Sequence, residues 1–211
     1  MTTSLIDYSK PVDYSKPVDH ATLMRAAEAL QSHGMDARIV ASEDVVHLID
    51  ELIPDGAMVY TATSRTLDNL DVSDHIRGAT RFRTTRTHTE TLDPVTQMTE
   101  FRRHVSTMDV VVGSVHAITE DGLVVAASAT GSQLASYVFG ADRVVWVVGA
   151  QKVVPDLDTA FDRIEHHSLP LESERLQEVY GMPSAIGKEL VVYQERPGRI
   201  HVLLLEDAIG F

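Results

Sequence analysis

The feature that most constrains this fold is a succession of unbroken apolar runs: MDVVVGSV (108–115), GLVVAAS (122–128), DRVVWVVG (142–149) and RIHVLLLE (199–206). Each is short, rich in β-branched residues and free of polar alternation. A strand with one face in water would alternate, so these runs read as strands buried on both faces. ARIVAS (37–42), GAMVYTA (56–62) and ELVVYQ (189–194) read as further strands. Between them lie segments with helical spacing and helix stops, among them ATLMRAAEALQSHG, SEDVVHLIDELI, VTQMTEFRRHVST, GSQLASYVFG, DLDTAFDRIEHH and LESERLQEVYG. Strands alternating with helices predict a largely parallel sheet covered on both faces. The Asp121-Gly122 step predicts a hairpin inserted into that sheet, which makes it mixed. Residues 79–94 are polar and give no clear element.

With 211 residues, 44% of them apolar, the chain suits one domain with a sizeable core, expected over 20–211. Residues 1–19 carry the hexapeptide YSKPVD twice in tandem, each copy broken by Pro, and read as a flexible or loosely docked arm. A net charge of −13 disfavours nucleic acid and anionic membranes, with Arg81, Arg83 and Arg86 as one local basic exception. There is no cysteine, which excludes disulfide, thiolate and iron–sulfur chemistry within this chain. The N-terminus lacks a signal-type apolar region and no run is long enough to span a membrane, so a cytoplasmic protein is expected. A homodimer is the default assembly.

The polar residues that end the strands are the candidate site. TATSRT (61–66) runs from a strand into a helix start; Ser64, Arg65 and Thr66 suit either an anion cradle or simple capping. Thr130, Gly131, Ser132 and Gln133 form a second such junction, and Lys152 follows a strand-ending glycine. If the two junctions end neighbouring parallel strands, they share one crevice fit for a phosphate, carboxylate or CoA ligand. His116 suits general acid–base work or a structural hydrogen bond. Glu120 is a candidate carboxylate nucleophile, while Asp121 reads first as a turn residue. No histidine spacing suggests a metal, and no dinucleotide or Walker loop is present.

Two stretches carry a family resemblance: GSVHAITEDGLVV, and TGSQLASYVFGADRVVWVVGAQKVVPDLDTAFDRI with its Gly149, Lys152, Asp156, Ala160 and Arg163. Together they resemble the LUD-domain (lactate utilization) family, as does the closing RIHVLLLEDAIGF. The resemblance implies a three-layer α/β/α architecture with a mostly parallel mixed sheet, like that of ribose-5-phosphate isomerase, glucosamine-6-phosphate deaminase and the CoA transferases. It also implies a role in oxidising lactate to pyruvate beside iron–sulfur or other oxidoreductase subunits. The CoA transferases of that fold use a Glu nucleophile, which is what draws attention to Glu120. The chain departs from the family pattern in having His116 and Gln151 where Asn is frequent, and Ser132-Gln133 where Asn-Arg is common. The competing expectations are a stand-alone isomerase- or transferase-type enzyme and a non-catalytic anion-binding module.

Overall fold

A computed structural model describes residues 12–85, 89, 91–93 and 96–211. Six strands form one sheet in which every pairing is parallel: β1 (Asp36–Val40), β2 (Met58–Thr61), β3 (Arg83–Thr84), β4 (Met108–Gly113), β7 (Ala141–Gly149) and β10 (Ile200–Leu205), in the order β1-β10-β7-β4-β2-β3. The apolar runs are continuous because successive residues face opposite layers. Val144, Trp146 and Val148 join one core, with α1 (His20–Ser32) and Tyr137; Val145 and Val147 join the other, with α2 (Val45–Leu52), α3 (Arg65–Asn69) and α4 (Val72–Gly78). At about 1.5–3 kcal/mol per fully buried large apolar side chain, these two interfaces dominate the stabilisation. The three-layer α/β architecture with its mostly parallel sheet is therefore present.

The hairpin departs from its expected place. β5 (Ala117–Thr119) and β6 (Val124–Ser128) pair antiparallel, but they build a second sheet with β8 (Val153–Val154) and β9 (Lys188–Val192), in the order β8-β5-β6-β9. The mixing of strand directions is confined to this small sheet. Beneath it a third core joins Ala117, Val125 and Val154 to Ala160 and Ile164. Tyr14 also enters that core at 8% exposure and donates from its hydroxyl to Asp162 Oδ2 at 2.5 Å. The second YSKPVD copy thus packs on the domain through its tyrosine, whereas most of the first copy lies outside the described residues.

Two expected helices are subdivided. Ser42 opens a 3-10 turn (Ser42–Asp44) before α2, and its hydroxyl donates to Asp207. The helix Leu157–Arg163 continues through a π-turn (Ile164–Ser168) into the helix Leu169–Tyr180. Asp156 caps its start by accepting from the backbone N–H of Thr159 at 2.8 Å. Arg81 pairs with Asp55 and Arg83 donates to the Gly56 carbonyl, while Arg86 lies outside the described residues. Among the described residues, no helix is long and apolar enough to cross a membrane.

Candidate functional site

Because the large sheet is parallel, β2, β4 and β7 deliver their C-terminal ends to one edge. They lead into Ala62–Ser64, Ser114–His116 and Ala150–Lys152 respectively. β6 of the small sheet ends beside them and leads into the helix Ser132–Ala135. The four chain turns surround a cleft of about 220 Å³, walled on another side by the helix Leu169–Tyr180. The crevice expected between two ends of one sheet is instead bounded by the ends of two sheets.

Lys152 lies in this cleft yet is only 2% exposed. Its Nζ donates to Thr66 Oγ1 at 2.9 Å and to Ser114 Oγ at 3.1 Å, and no carboxylate pairs with it among the described residues. Burial, with the Arg163 guanidinium adding to it, holds the amine's pKa well below that of an ordinary lysine.

Arg163 is wholly buried beneath the cleft floor. Its Nη1 donates to the His116 carbonyl at 2.6 Å and to Ser168 Oγ at 2.9 Å, and its Nε donates to the Gln151 carbonyl at 3.2 Å. Its Nη2 has no hydrogen-bond partner among the described residues. Burial lowers its pKa to about 10, so it stays charged at neutral pH and projects positive potential into the cleft. Its hydrogen-bond partners are all neutral oxygens, and no carboxylate pairs with it among the described residues.

His116 lines the same cleft, and its Nδ1 accepts from the Ala127 N–H at 3.1 Å. Burial first, then the Lys152 and Arg163 charges, lower its pKa from 6.5 to about 3. The ring is therefore neutral, and with Nδ1 occupied as an acceptor its proton sits on Nε2. A neutral imidazole fixed in this tautomer offers a hydrogen-bond donor, not a general base.

Ser64, Arg65, Ser132 and Gln133 also line the cleft. Arg65 is exposed and has no ion-pair partner among the described residues. Glu172 lines one wall, with its carboxylate held by Arg175 at 2.6 and 2.8 Å. Thr66 lies just beneath, at 1% exposure; its hydroxyl donates to the Ile209 carbonyl at 3.3 Å. Gly210 packs directly on Thr66 with φ +71°, a conformation and a closeness that leave no room for a Cβ. Thr130 and Gly131 shape the loop behind Ser132: the Thr130 hydroxyl donates to Ser132 Oγ at 3.3 Å, and the Gly131 N–H donates to Ser128 Oγ at 2.9 Å.

Glu120 is not among the cleft's residues. Its carboxylate pairs with Arg25 of α1 at 2.9 Å. Asp121 accepts from the Thr119 hydroxyl, and Gly122 follows with φ +87° against the backbone of Ala29 and Leu30. The hairpin tip is a turn docked on α1. Gln151 clasps the tail instead of facing the cleft, donating to the Ile209 and Gly210 carbonyls at 2.9 and 3.1 Å.

Sequence reasoning named Arg163 only as part of the family pattern, not as a site residue, and passed over Ser114 and Ser168. The signal for Arg163 is its place in an otherwise apolar helical stripe, Ala160, Arg163 and Ile164, all buried. A charge in such a stripe must meet buried acceptors. Among the described residues no group of three His, Asp or Glu side chains is placed to hold a metal ion.

No curated protein matches the chain's sequence. A crystal structure of a DUF162 family protein from Deinococcus radiodurans aligns over 92% of this chain and 99% of its own, with a TM-score of 0.55 and 11% identity. At that identity the likeness speaks for the fold alone. The eIF2B beta subunit from Chaetomium thermophilum aligns over 56% of this chain and 44% of its own, at TM-score 0.38 and 13% identity, too little to argue from. The family model of the LUD domain matches residues 23–205, the whole of the two-sheet body including every strand that borders the cleft. The chain belongs to the LUD domain family.

Proposed function

We propose that this protein binds a small carboxylate metabolite of the lactate–pyruvate class in the cleft, as a subunit of a lactate-utilizing system. The family's general association with lactate utilization sets the class. The observation that carries the reading is that the cleft has the Arg163 guanidinium beneath it and Arg65 at its rim, neither with a carboxylate partner among the described residues, in a chain whose net charge is −13. Elsewhere Arg25, Arg38, Arg81 and Arg199 each hold a carboxylate, and on the cleft wall Arg175 holds Glu172. Among the described residues, Arg163 and Arg65 do not. An anion in the cleft supplies the missing negative charge. Arg65 suits a carboxylate as a planar donor, Ser64 and Ser132 add hydroxyls, and His116 donates from Nε2 to the 2-oxygen.

Oxidation of lactate needs an electron acceptor, which in this reading belongs to a partner subunit. A transferase reading would need Glu120 at the ligand, and its pairing with Arg25 outside the cleft gives that no support. Thermal unfolding with lactate, pyruvate, sugar phosphates and acyl-CoAs tests the proposal. At about 100 times its Kd a ligand adds roughly 2.7 kcal/mol. Lactate or pyruvate should raise the Tm, with the shift lost in Arg65→Ala combined with Ser132→Ala. A shift with acyl-CoA alone, or with none of these, would contradict the reading.

A further inference from the structure

The chain contains four lysines, and Lys152 differs from the others that can be compared: Lys16 and Lys188 are exposed. Its surroundings also account for each of its hydrogens. The Thr66 hydroxyl lies 3.3 Å from the Ile209 carbonyl and the Ser114 hydroxyl 3.5 Å from the Val115 carbonyl, so each has an acceptor of its own and is free to accept from Lys152. Two N–H groups are thereby used, at 2.9 and 3.1 Å. The third position on nitrogen has no protein partner among the described residues, and the side chain borders the cleft. A buried amine with no carboxylate, held by two hydroxyl acceptors with one position left over, is arranged to present a lone pair.

We infer that Lys152 is a nucleophile that captures the carbonyl of a small 2-oxo acid in the cleft as an imine. The inference rests on the carboxylate-binding reading above and extends it from reversible binding to covalent chemistry. The Nζ lone pair forms a bond to the 2-carbon while the carbonyl π pair moves to oxygen, which gives a carbinolamine once a proton has passed from nitrogen to that oxygen. Ser114 and Thr66, each within hydrogen-bond distance of Nζ, relay that proton. Loss of the oxygen as water, with a second proton from nitrogen, leaves the C=N bond; the sum is amine plus carbonyl giving imine plus water. No oxidant or metal is required. Burial, with the Arg163 charge adding to it, lowers the amine's pKa and so raises the share of free amine available for attack. A 2-hydroxy acid has no ketone at the 2-carbon, so imine formation distinguishes pyruvate-like from lactate-like ligands.

The test is reductive trapping. The full chain is incubated with pyruvate and cyanoborohydride at pH 7, and intact mass and peptide mapping locate the adduct. The expected result is one reduced adduct per chain on Lys152, formed about tenfold or more faster than on Lys16 or Lys188, since each unit of pKa depression raises the free-amine fraction up to tenfold. Excess lactate should slow the trapping, and Lys152→Arg should abolish the adduct. Thermal unfolding with pyruvate and lactate runs in parallel. If both acids stabilise the protein and no adduct forms on Lys152, the imine is overturned and the carboxylate reading survives. If neither stabilises it and only exposed lysines react, both fall.

Discussion

The hairpin tip at residues 119–122 and the cleft around Lys152 are both polar clusters at strand ends, and in sequence the hairpin is the denser of the two. In the fold they are opposites. Every hairpin group is satisfied locally: Glu120 by Arg25, Asp121 by the Thr119 hydroxyl, and the turn itself by Gly122. The cleft keeps a buried amine on neutral hydroxyls and a buried guanidinium on neutral oxygens with one nitrogen unpartnered. Polar density marks a turn as readily as a site. Buried charge without a countercharge is the discriminating feature, because a protein without use for it has better ways to fill the space.

The comparison breaks first at Arg163. Arg163→Met strips three oxygens of a charged donor, and should lower stability by at least about 3 kcal/mol, read from the urea midpoint. A loss well under that would mean the guanidinium is not the floor of the cleft. On the hairpin side, Gly122→Ala forces a Cβ to within 2.7 Å of the Ala29 carbonyl carbon at φ +87°, and should cost about 1–3 kcal/mol while leaving ligand-induced stabilisation intact.

Lys152→Met should act in the other sense. Removing a buried amine that no carboxylate pairs should raise stability at pH 7 by about 1 kcal/mol while ligand binding weakens. The pH dependence sharpens this. With its folded pKa well below the unfolded 10.5, the amine takes up a proton on unfolding in the window between the two, so stability rises with pH toward 10.5, and the variant should flatten that slope. His116 acts on the acid side. Its stability contribution is complete above about pH 6.5 and declines as pH falls toward its folded value of about 3. Chemical denaturation across pH 3–10 reads both. The smallest effect belongs to Glu120→Gln, which removes a half-exposed ion pair and should change stability by no more than about 0.5–1 kcal/mol.

The contrast also explains what the sequence disclosed. The parallel sheet was legible because runs such as VVWVV must be buried on both faces, and Val144 to Val148 do alternate between two cores. Ser64, Arg65, His116, Ser132 and Lys152 were legible as the polar residues that follow strands, since parallel strands end on one edge. The separate small sheet was not, because β6 pairs with β9 some sixty residues on, and tertiary packing alone selects that partner. Nor was the role of Glu120: its partner Arg25 lies 95 residues away in α1, so a carboxylate with a satisfied tertiary pairing looked like a free one. The burial of Lys152 was hidden for the same reason. The absence of a countercharge is a property of the assembled fold.

The most direct test is a calorimetric titration of pyruvate into the wild-type chain, Lys152→Met and Glu120→Gln under identical conditions. The account predicts one site per chain in wild type, an unchanged Kd in Glu120→Gln, and a Kd at least about tenfold weaker in Lys152→Met, or about 1.4 kcal/mol. Undiminished binding by Lys152→Met, or binding abolished by Glu120→Gln, would contradict it and move the site from the cleft to the hairpin.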